Sequence, residues 1–175
     1  MEEEMRYGRS FYTRDALTVA RELIGKSLAR RFPDGTVKIY LITETEAYLG
    51  EEDLACHASK GRTPRTEIMY HEGGHVYVYL IYGMYWMLNV VTGPVNHPQA
   101  VLIRGITDFN GPGKLTRALG ISKELYGEDL VHSTNLWIGE GEGSVKIQKT
   151  PRVGVDYAGE CWAAKPWRFV LNKTD

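Results

Sequence analysis

A chain of 175 residues, 43% hydrophobic and 25% charged, has the composition of an ordinary folded domain, which excludes a disordered or collagen-like polymer. Its net charge of −1 gives no sign of a polyanionic partner, and no apolar run approaches the roughly 18 residues of a membrane span. The opening Met1-Glu2-Glu3-Glu4-Met5 is acidic where a secretion signal is basic and then greasy, so the expectation is a soluble, cytoplasmic chain that is not secreted and has no membrane partner.

The first periodic segment is Arg14–Ile24. Ala16, Leu17, Ala20, Leu23 and Ile24 recur at helical spacing, with Thr13 placed to cap the start and Gly25 to end it. The turn signal Pro33-Asp34-Gly35 leads into a long strand, Val37–Leu49. Strict alternation puts Tyr40, Ile42, Glu44, Glu46 and Tyr48 on one face and Val37, Ile39, Leu41, Thr43, Thr45 and Ala47 on the other. Residues 50–74 are polar and glycine-bearing, a loop long enough to expect a function. Strands follow at His75–Tyr82, Met84–Val91 and Ala100–Arg104. Gly111-Pro112-Gly113 then introduces a helix over Lys114–Leu119, and Ser122 can cap another to about Tyr126. Short strands at Asn135–Ile138, Val145–Gln148 and Trp167–Leu171 complete a single α+β domain, mostly antiparallel sheet with flanking helices and a protruding β-hairpin. Residues 1–9 read as a poorly ordered tail.

The two cysteines, Cys56 and Cys161, make no disulfide framework and form no CxxC. Residues 61–120 carry a mild basic bias, through Arg62, Arg65, Arg104, Lys114 and Arg117 against Glu67, Glu72 and Asp108. Tyrosine supplies 11 of the aromatics against 4 Trp and 4 Phe, and Tyr70, Tyr77, Tyr79, Tyr82 and Tyr85 crowd together beside Trp86. Buried tyrosine needs a partner for its hydroxyl, so the cluster points to a cleft both apolar and wet, or equally to the aromatic face of a sheet core.

Four strings carry possible chemistry. His71-Glu72-Gly73-Gly74-His75 matches the zinc-protease motif HExxH. That chemistry needs both histidines on one helical face, whereas two central glycines and the following Val76-Tyr77-Val78-Tyr79 favour a loop entering a strand. Gly111-Pro112-Gly113-Lys114 resembles part of a phosphate loop, but Asp108 stands where the first glycine belongs and Leu115 where Ser or Thr is required. Glu44 and Glu46 share a strand face with tyrosines, where a buried carboxylate must be paired or shifted in pKa; an edge strand with its acids in water is the plainer alternative. Arg62-Thr63-Pro64-Arg65 offers two guanidiniums and a hydroxyl, a set suited to phosphate or simply to solvent.

The order of these strings is more specific than any one of them. Glu44-Thr45-Glu46-Ala47-Tyr48-Leu49-Gly50 comes first, then Asp53, Ala55 and His57, then Gly61-Arg62-Thr63-Pro64-Arg65. Tyr77-Val78-Tyr79-Leu80-Ile81-Tyr82-Gly83-Met84-Tyr85 with Asn89 follows, then Leu102-Ile103-Arg104, Gly111-Pro112-Gly113-Lys114-Leu115 and Arg152-Val153-Gly154-Val155. From Phe11 to Phe169 this series resembles the 3-methyladenine (alkyladenine, or methylpurine) DNA glycosylases of the mammalian type.

The resemblance implies a monofunctional base-excision-repair hydrolase, a monomer with no cofactor and no metal. Its partner would be double-stranded DNA containing alkylated or deaminated purines, placing it in the cytoplasm or nucleoid of a prokaryote, or the nucleus of a eukaryote. By motif position Glu46 is the base that activates water, with Arg104 beside it. Tyr48, Ala55, His57, Tyr79 and Asn89 form the pocket for the extruded base. Tyr82 intercalates, while Arg62, Thr63, Arg65, Lys114 and Arg152 meet the DNA backbone. Two rival classes remain at this level: a nucleic-acid-binding module without catalysis, and a zinc hydrolase built on the HEGGH string.

Overall fold

The structure, a computed structural model, describes residues 5–172. Among them nine strands join one antiparallel sheet: β1 (Ser27–Arg31), β2 (Val37–Tyr48), β3 (Val76–Ile81), β4 (Tyr85–Thr92), β5 (Gln99–Ile106), β6 (Phe109–Asn110), β7 (Leu136–Gly139), β8 (Lys146–Thr150) and β9 (Arg168–Asn172). The main path runs β3-β4-β5-β2-β1-β7, with β9 beside β2, β8 on β9 and β6 on β5. The four α-helices, α1 (Arg9–Tyr12), α2 (Ala16–Leu23), α3 (Pro112–Ala118) and α4 (Glu160–Ala163), are short. The α+β architecture expected from the sequence is therefore the observed one. No helix of the described residues is long and apolar enough to cross a membrane.

The first helix begins later than its periodicity predicts. Asp15, not Thr13, is the N-cap, accepting the Thr18 N–H at 3.0 Å, and Thr13 closes the one-turn α1 instead. The apolar stripe of α2 (Ala16, Val19, Ala20, Leu23) packs onto Ile42, Ala47, Val101 and Ile103 of β2 and β5 in the main core. Each such side chain stabilises the fold by about 1.5–3 kcal/mol relative to leaving it in water. Of the expected tail, residues 1–4 lie outside the described residues. The rest is fastened: Arg6 bridges to Gly139, and Tyr7 donates its N–H to Ile138 O at 2.9 Å while stacking on Phe11.

The long loop 50–74 is equally anchored. It coils into two 3₁₀ turns, His57–Lys60 and Glu67–Tyr70. With these it lays Cys56, Ala58, Ile68, Met69 and Tyr70 over Tyr77, Val91 and Ala100, the sheet face turned away from α2. The HEGGH string is the return of this loop and not a helix. Gly73 is required there because a Cβ would lie 2.2 Å from Tyr12 O.

β2 does not alternate strictly. Its pairing with β5 runs Ile42↔Ile106, Glu44↔Gly105, Thr45↔Ile103, so Thr43 is an extra residue in one strand and Arg104 in the other. Each bulge inverts the alternation of its own strand. Ile42 therefore sits in the α2-facing core together with Ala47, where unbroken alternation separates them, and Tyr40 packs against that same core. Past the bulge Glu44, Glu46 and Tyr48 face the other way. Gly105 permits the close crossing, since a Cβ there would lie 2.9 Å from Thr43 Oγ1.

Candidate active site

Glu46 emerges on β2 immediately after the bulge and is completely buried. Its two oxygens are held separately: Oε1 accepts the Tyr48 hydroxyl at 2.7 Å and Oε2 accepts the Val153 N–H at 2.6 Å. Burial raises the carboxyl pKa above its usual range, opposed by the Arg104 guanidinium, the Val153 N–H and the Tyr48 hydroxyl. Burial and the neighbouring carboxylate likewise lift the Tyr48 phenol well above its ordinary value, keeping it a hydrogen-bond donor. Arg104 is aimed by a different acid. Its Nε donates to Glu44 Oε2 at 2.9 Å and stands 3.8 Å from Glu46 Oε2, while Arg168 donates to the same Glu44 oxygen at 2.6 Å.

A cleft of about 1250 Å³ is lined by Tyr48, Arg104 and Val153, which all neighbour Glu46; the carboxylate itself lies behind them and lines neither this cleft nor the smaller pocket beside it. The β3–β4 hairpin forms one wall and the 54–66 loop another; Lys114 of α3 also reaches it. At the hairpin tip Tyr82 and Gly83 both adopt positive φ, 54° and 66°, and Met84 N–H closes the turn on Ile81 O at 3.1 Å. Positive φ at both central positions matches the right-handed twist of a hairpin, and a bulky side chain there is strained. Tyr82 is 83% exposed, with Leu80 and Met84 exposed beside it. A strained, solvent-facing aromatic at a rigid tip is a functional signature in its own right.

Adjoining the cleft, and sharing Tyr48, Cys56, His57, Tyr79 and Tyr157 with it, lies a small pocket of about 40 Å³. All five residues expected in a base pocket line it: Tyr48, Ala55, His57, Tyr79 and Asn89. That holds a few waters at most, so a ligand as large as a purine touching these residues also occupies the adjoining cleft. The His57 and Tyr79 rings lie 4.5 Å apart at 63°. Asn89 Nδ2 is spent on backbone, donating to Tyr77 O at 3.3 Å. Ala55 is likewise committed, its N–H to Asp53 Oδ1 at 3.0 Å and its carbonyl to the Tyr157 hydroxyl at 2.9 Å.

The residues expected at the DNA backbone divide. Thr63, Arg65 and Lys114 line the cleft. Arg62 does not: its guanidinium is paired through two nitrogens with Glu67 and lies over the Tyr70 ring. Arg152 is a clear correction, because its side chain is fully buried and cannot reach a phosphate. It grips Asp53 through two nitrogens (2.6 and 3.1 Å), donates to Ala47 O and Trp162 O, and lies between the Tyr48 and Trp167 rings at 4.9 Å from each. Asp53 in turn accepts the Leu49 and Ala55 N–H groups. This buried pair ties the end of β2, the pocket loop and the segment bearing Val153 into one unit. Glu44, singled out with Glu46 in the sequence, proves to be the anchor for Arg104; Arg168, Val153 and Tyr157 are contributors that residue type and spacing do not single out, since one braces that anchor, one acts through its backbone and one comes from a distant turn. At the HEGGH string, His75 Nδ1 bonds Glu72 O at 2.6 Å, and among the described residues no three His, Cys, Asp or Glu side chains converge to hold a metal ion.

A carboxylate buried behind an aromatic-lined cleft, with an aromatic-tipped hairpin along one wall, defines the class: an α+β protein with a single large cleft backed by one desolvated acid among the described residues. The family model for methylpurine-DNA glycosylase (MPG) matches residues 10–110 and 107–175. Three relatives are each named "Putative 3-methyladenine DNA glycosylase". The one from Methanocella arvoryzae is 46% identical over 92% of this chain and 90% of its own. Those from Psychrobacter cryohalolentis and Desulfitobacterium hafniense are each 44% identical, over 95% of this chain and 91% and 95% of theirs. The chain belongs to the methylpurine-DNA glycosylase family. Membership carries a DNA-glycosylase-type function, and with it hydrolase-type chemistry and DNA binding in general terms. The sequence resemblance is to the mammalian type, whereas these relatives are archaeal and bacterial.

Proposed function

We propose that this chain releases alkylated or deaminated purines from duplex DNA by hydrolysing the N-glycosidic bond of an extruded nucleotide. Glu46 takes a proton from water as the water oxygen bonds to the sugar C1′; the C1′–N bond breaks and its electron pair leaves with the base. A purine alkylated at N3 or N7 is cationic, so that electron pair neutralises it and no acid is required; most glycosidases need two carboxylates. The single observation that carries this reading is the buried Glu46 carboxylate, held by two donors, Tyr48 and Val153, that themselves line the cleft.

Energetics favour the same scheme. Extruding a base costs a few kcal/mol, least when it is damaged or mispaired. Stacking on an aromatic returns about 1–3 kcal/mol per base, and a cationic base gains further over electron-rich rings. Tyr82 would fill the vacated stack while Tyr48, His57 and Tyr79 receive the base. Arg104, held by Glu44, would orient the water or the adjacent phosphate; Thr63, Arg65 and Lys114 would meet the backbone.

Duplexes carrying 3-methyladenine, hypoxanthine or ethenoadenine should yield alkali-labile abasic sites with this protein and none with its Glu46→Gln variant. Lesion binding without base release would instead identify a non-catalytic binding module.

A further inference from the structure

Outside the carboxylate and its neighbours, the most ordered polar arrangement is the back wall of the small cavity. His57 Nδ1 lies 2.8 Å from the Tyr77 hydroxyl and 3.3 Å from Arg65 Nη2. Arg65 Nε also donates to the Tyr77 oxygen at 3.2 Å. A guanidinium has no acceptor, so the bond directions are fixed. Arg65 donates to Tyr77, Tyr77 donates onward to His57, and Arg65 donates to His57 as well. His57 Nδ1 must therefore carry a lone pair, and the ring proton must be on Nε2. That nitrogen has no hydrogen-bond acceptor among the described residues and is not among the sealed-off polar atoms, so it is open to the pocket.

From this geometry, and resting on the glycosylase reading above, we infer that Arg65 and Tyr77 are positioning residues that hold His57 as a neutral Nε2–H donor, keeping the pocket wall uncharged so that a cationic purine is accepted. A protonated imidazole would place a like charge against such a base. The surroundings act in the same direction: burial lowers the His57 pKa to about 4, helped by Arg65 and by Lys60 of its own turn. The other titratable groups around it are the phenols Tyr77 and Tyr79 from β3, Tyr48 from β2 and Tyr157 from the C-terminal segment, together with the thiol of Cys56 from its own loop, all of them raised and neutral. Arg65 also lies over the Tyr79 ring at 5.0 Å, so its own charge is shared with an aromatic face. The side chain expected at the DNA backbone is thereby given a role inside the pocket.

The test is imidazole ¹⁵N NMR of the histidine-labelled protein, with His57 assigned through His57→Gln. The expected spectrum shows the Nε2–H form, unprotonated down to pH 5. In Arg65→Gln and Tyr77→Phe the titration midpoint should move up toward the ordinary value of about 6.5. One pH unit below such a midpoint the neutral form falls about tenfold. Release of 7-methylguanine relative to hypoxanthine should then fall by about that factor at pH 5.5 in Arg65→Gln, measured against the wild-type ratio at the same pH. A proton on Nδ1, a wild-type midpoint near 6.5, or a midpoint unmoved in both variants would overturn the inference. Because the spectra need no substrate, they decide the histidine's state even if no base is released; total absence of release would count against the function proposed above.

Discussion

Replacing Glu46 by Gln isolates the chemistry from the architecture. The side chain keeps its size, and its amide oxygen can still accept the Val153 N–H where Oε2 does at 2.6 Å. The amide NH₂ then faces Tyr48, whose hydroxyl can rotate from donating to accepting. That rotation takes the Tyr48 proton away from the acceptor the carboxylate supplied, and the second amide N–H gains none. The carboxylate's pKa is raised by burial, so its ionised form is the costly one in the folded state. A group raised on folding contributes stability below its unfolded pKa that is lost as pH rises through the folded value. The amide escapes that loss, which offsets a cost of about 1–3 kcal/mol for the unmatched donors, and at neutral pH the variant should unfold within a few degrees of the wild type. Its rate is a different matter. General-base assistance is typically worth about 10²–10⁴, or roughly 3–5 kcal/mol of barrier. Single-turnover release from a duplex with one modified purine, read by alkaline cleavage of the abasic product, should fall by that factor. The wild-type profile should also show an acid limb above the ordinary carboxylate range, and the variant should lack it. A Glu46→Gln rate within tenfold of wild type, in a folded protein, would refute the assignment of the base.

Four further outcomes follow from the geometry. Tyr82→Ser should weaken binding to a lesion duplex by the 1–3 kcal/mol of one stacked base, measured by fluorescence anisotropy. Tyr82→Gly, relieved of a bulky residue at φ 54°, should be more stable by about 1 kcal/mol in urea unfolding. Arg152→Met leaves Asp53 buried without its partner and should cost about 3–5 kcal/mol in the same assay, with part recovered in the Arg152→Met/Asp53→Asn double variant. Asp15→Ala removes the acceptor for the Thr18 N–H and should cost about 0.5–2 kcal/mol without altering base release.

The strands were legible because burial on a sheet face writes a period of two into the chain, and β2 through β5 lie within two residues of their expected bounds. The same period is what concealed the face exchange at Ile42, since a compensated pair of bulges leaves no compositional trace. The five residues expected to receive a base line one pocket because each belongs to a specific string on β2, β3, β4 or the 50–74 loop. Arg152 shows the limit of such strings. An arginine in a marked motif reads equally well as a phosphate ligand or a buried strut, and only the position of Asp53 separates the two. Val153 was invisible for a simpler reason: its contribution is a main-chain N–H, which any residue but proline supplies.

The twin irregularities at Thr43 and Arg104 have an evolutionary corollary. Neither residue has a partner across the ladder, so each is a spacer that lets its strand change faces while the pairs on both sides stay matched. Excising both would leave Ile42 opposite Ile106 and Thr45 opposite Ile103 and would keep Glu46 on its own face. A residue gained or lost anywhere else between Ile42 and Glu46 would instead turn that carboxylate in among the side chains under the helix, so tolerance of length change in β2 is confined to a single position.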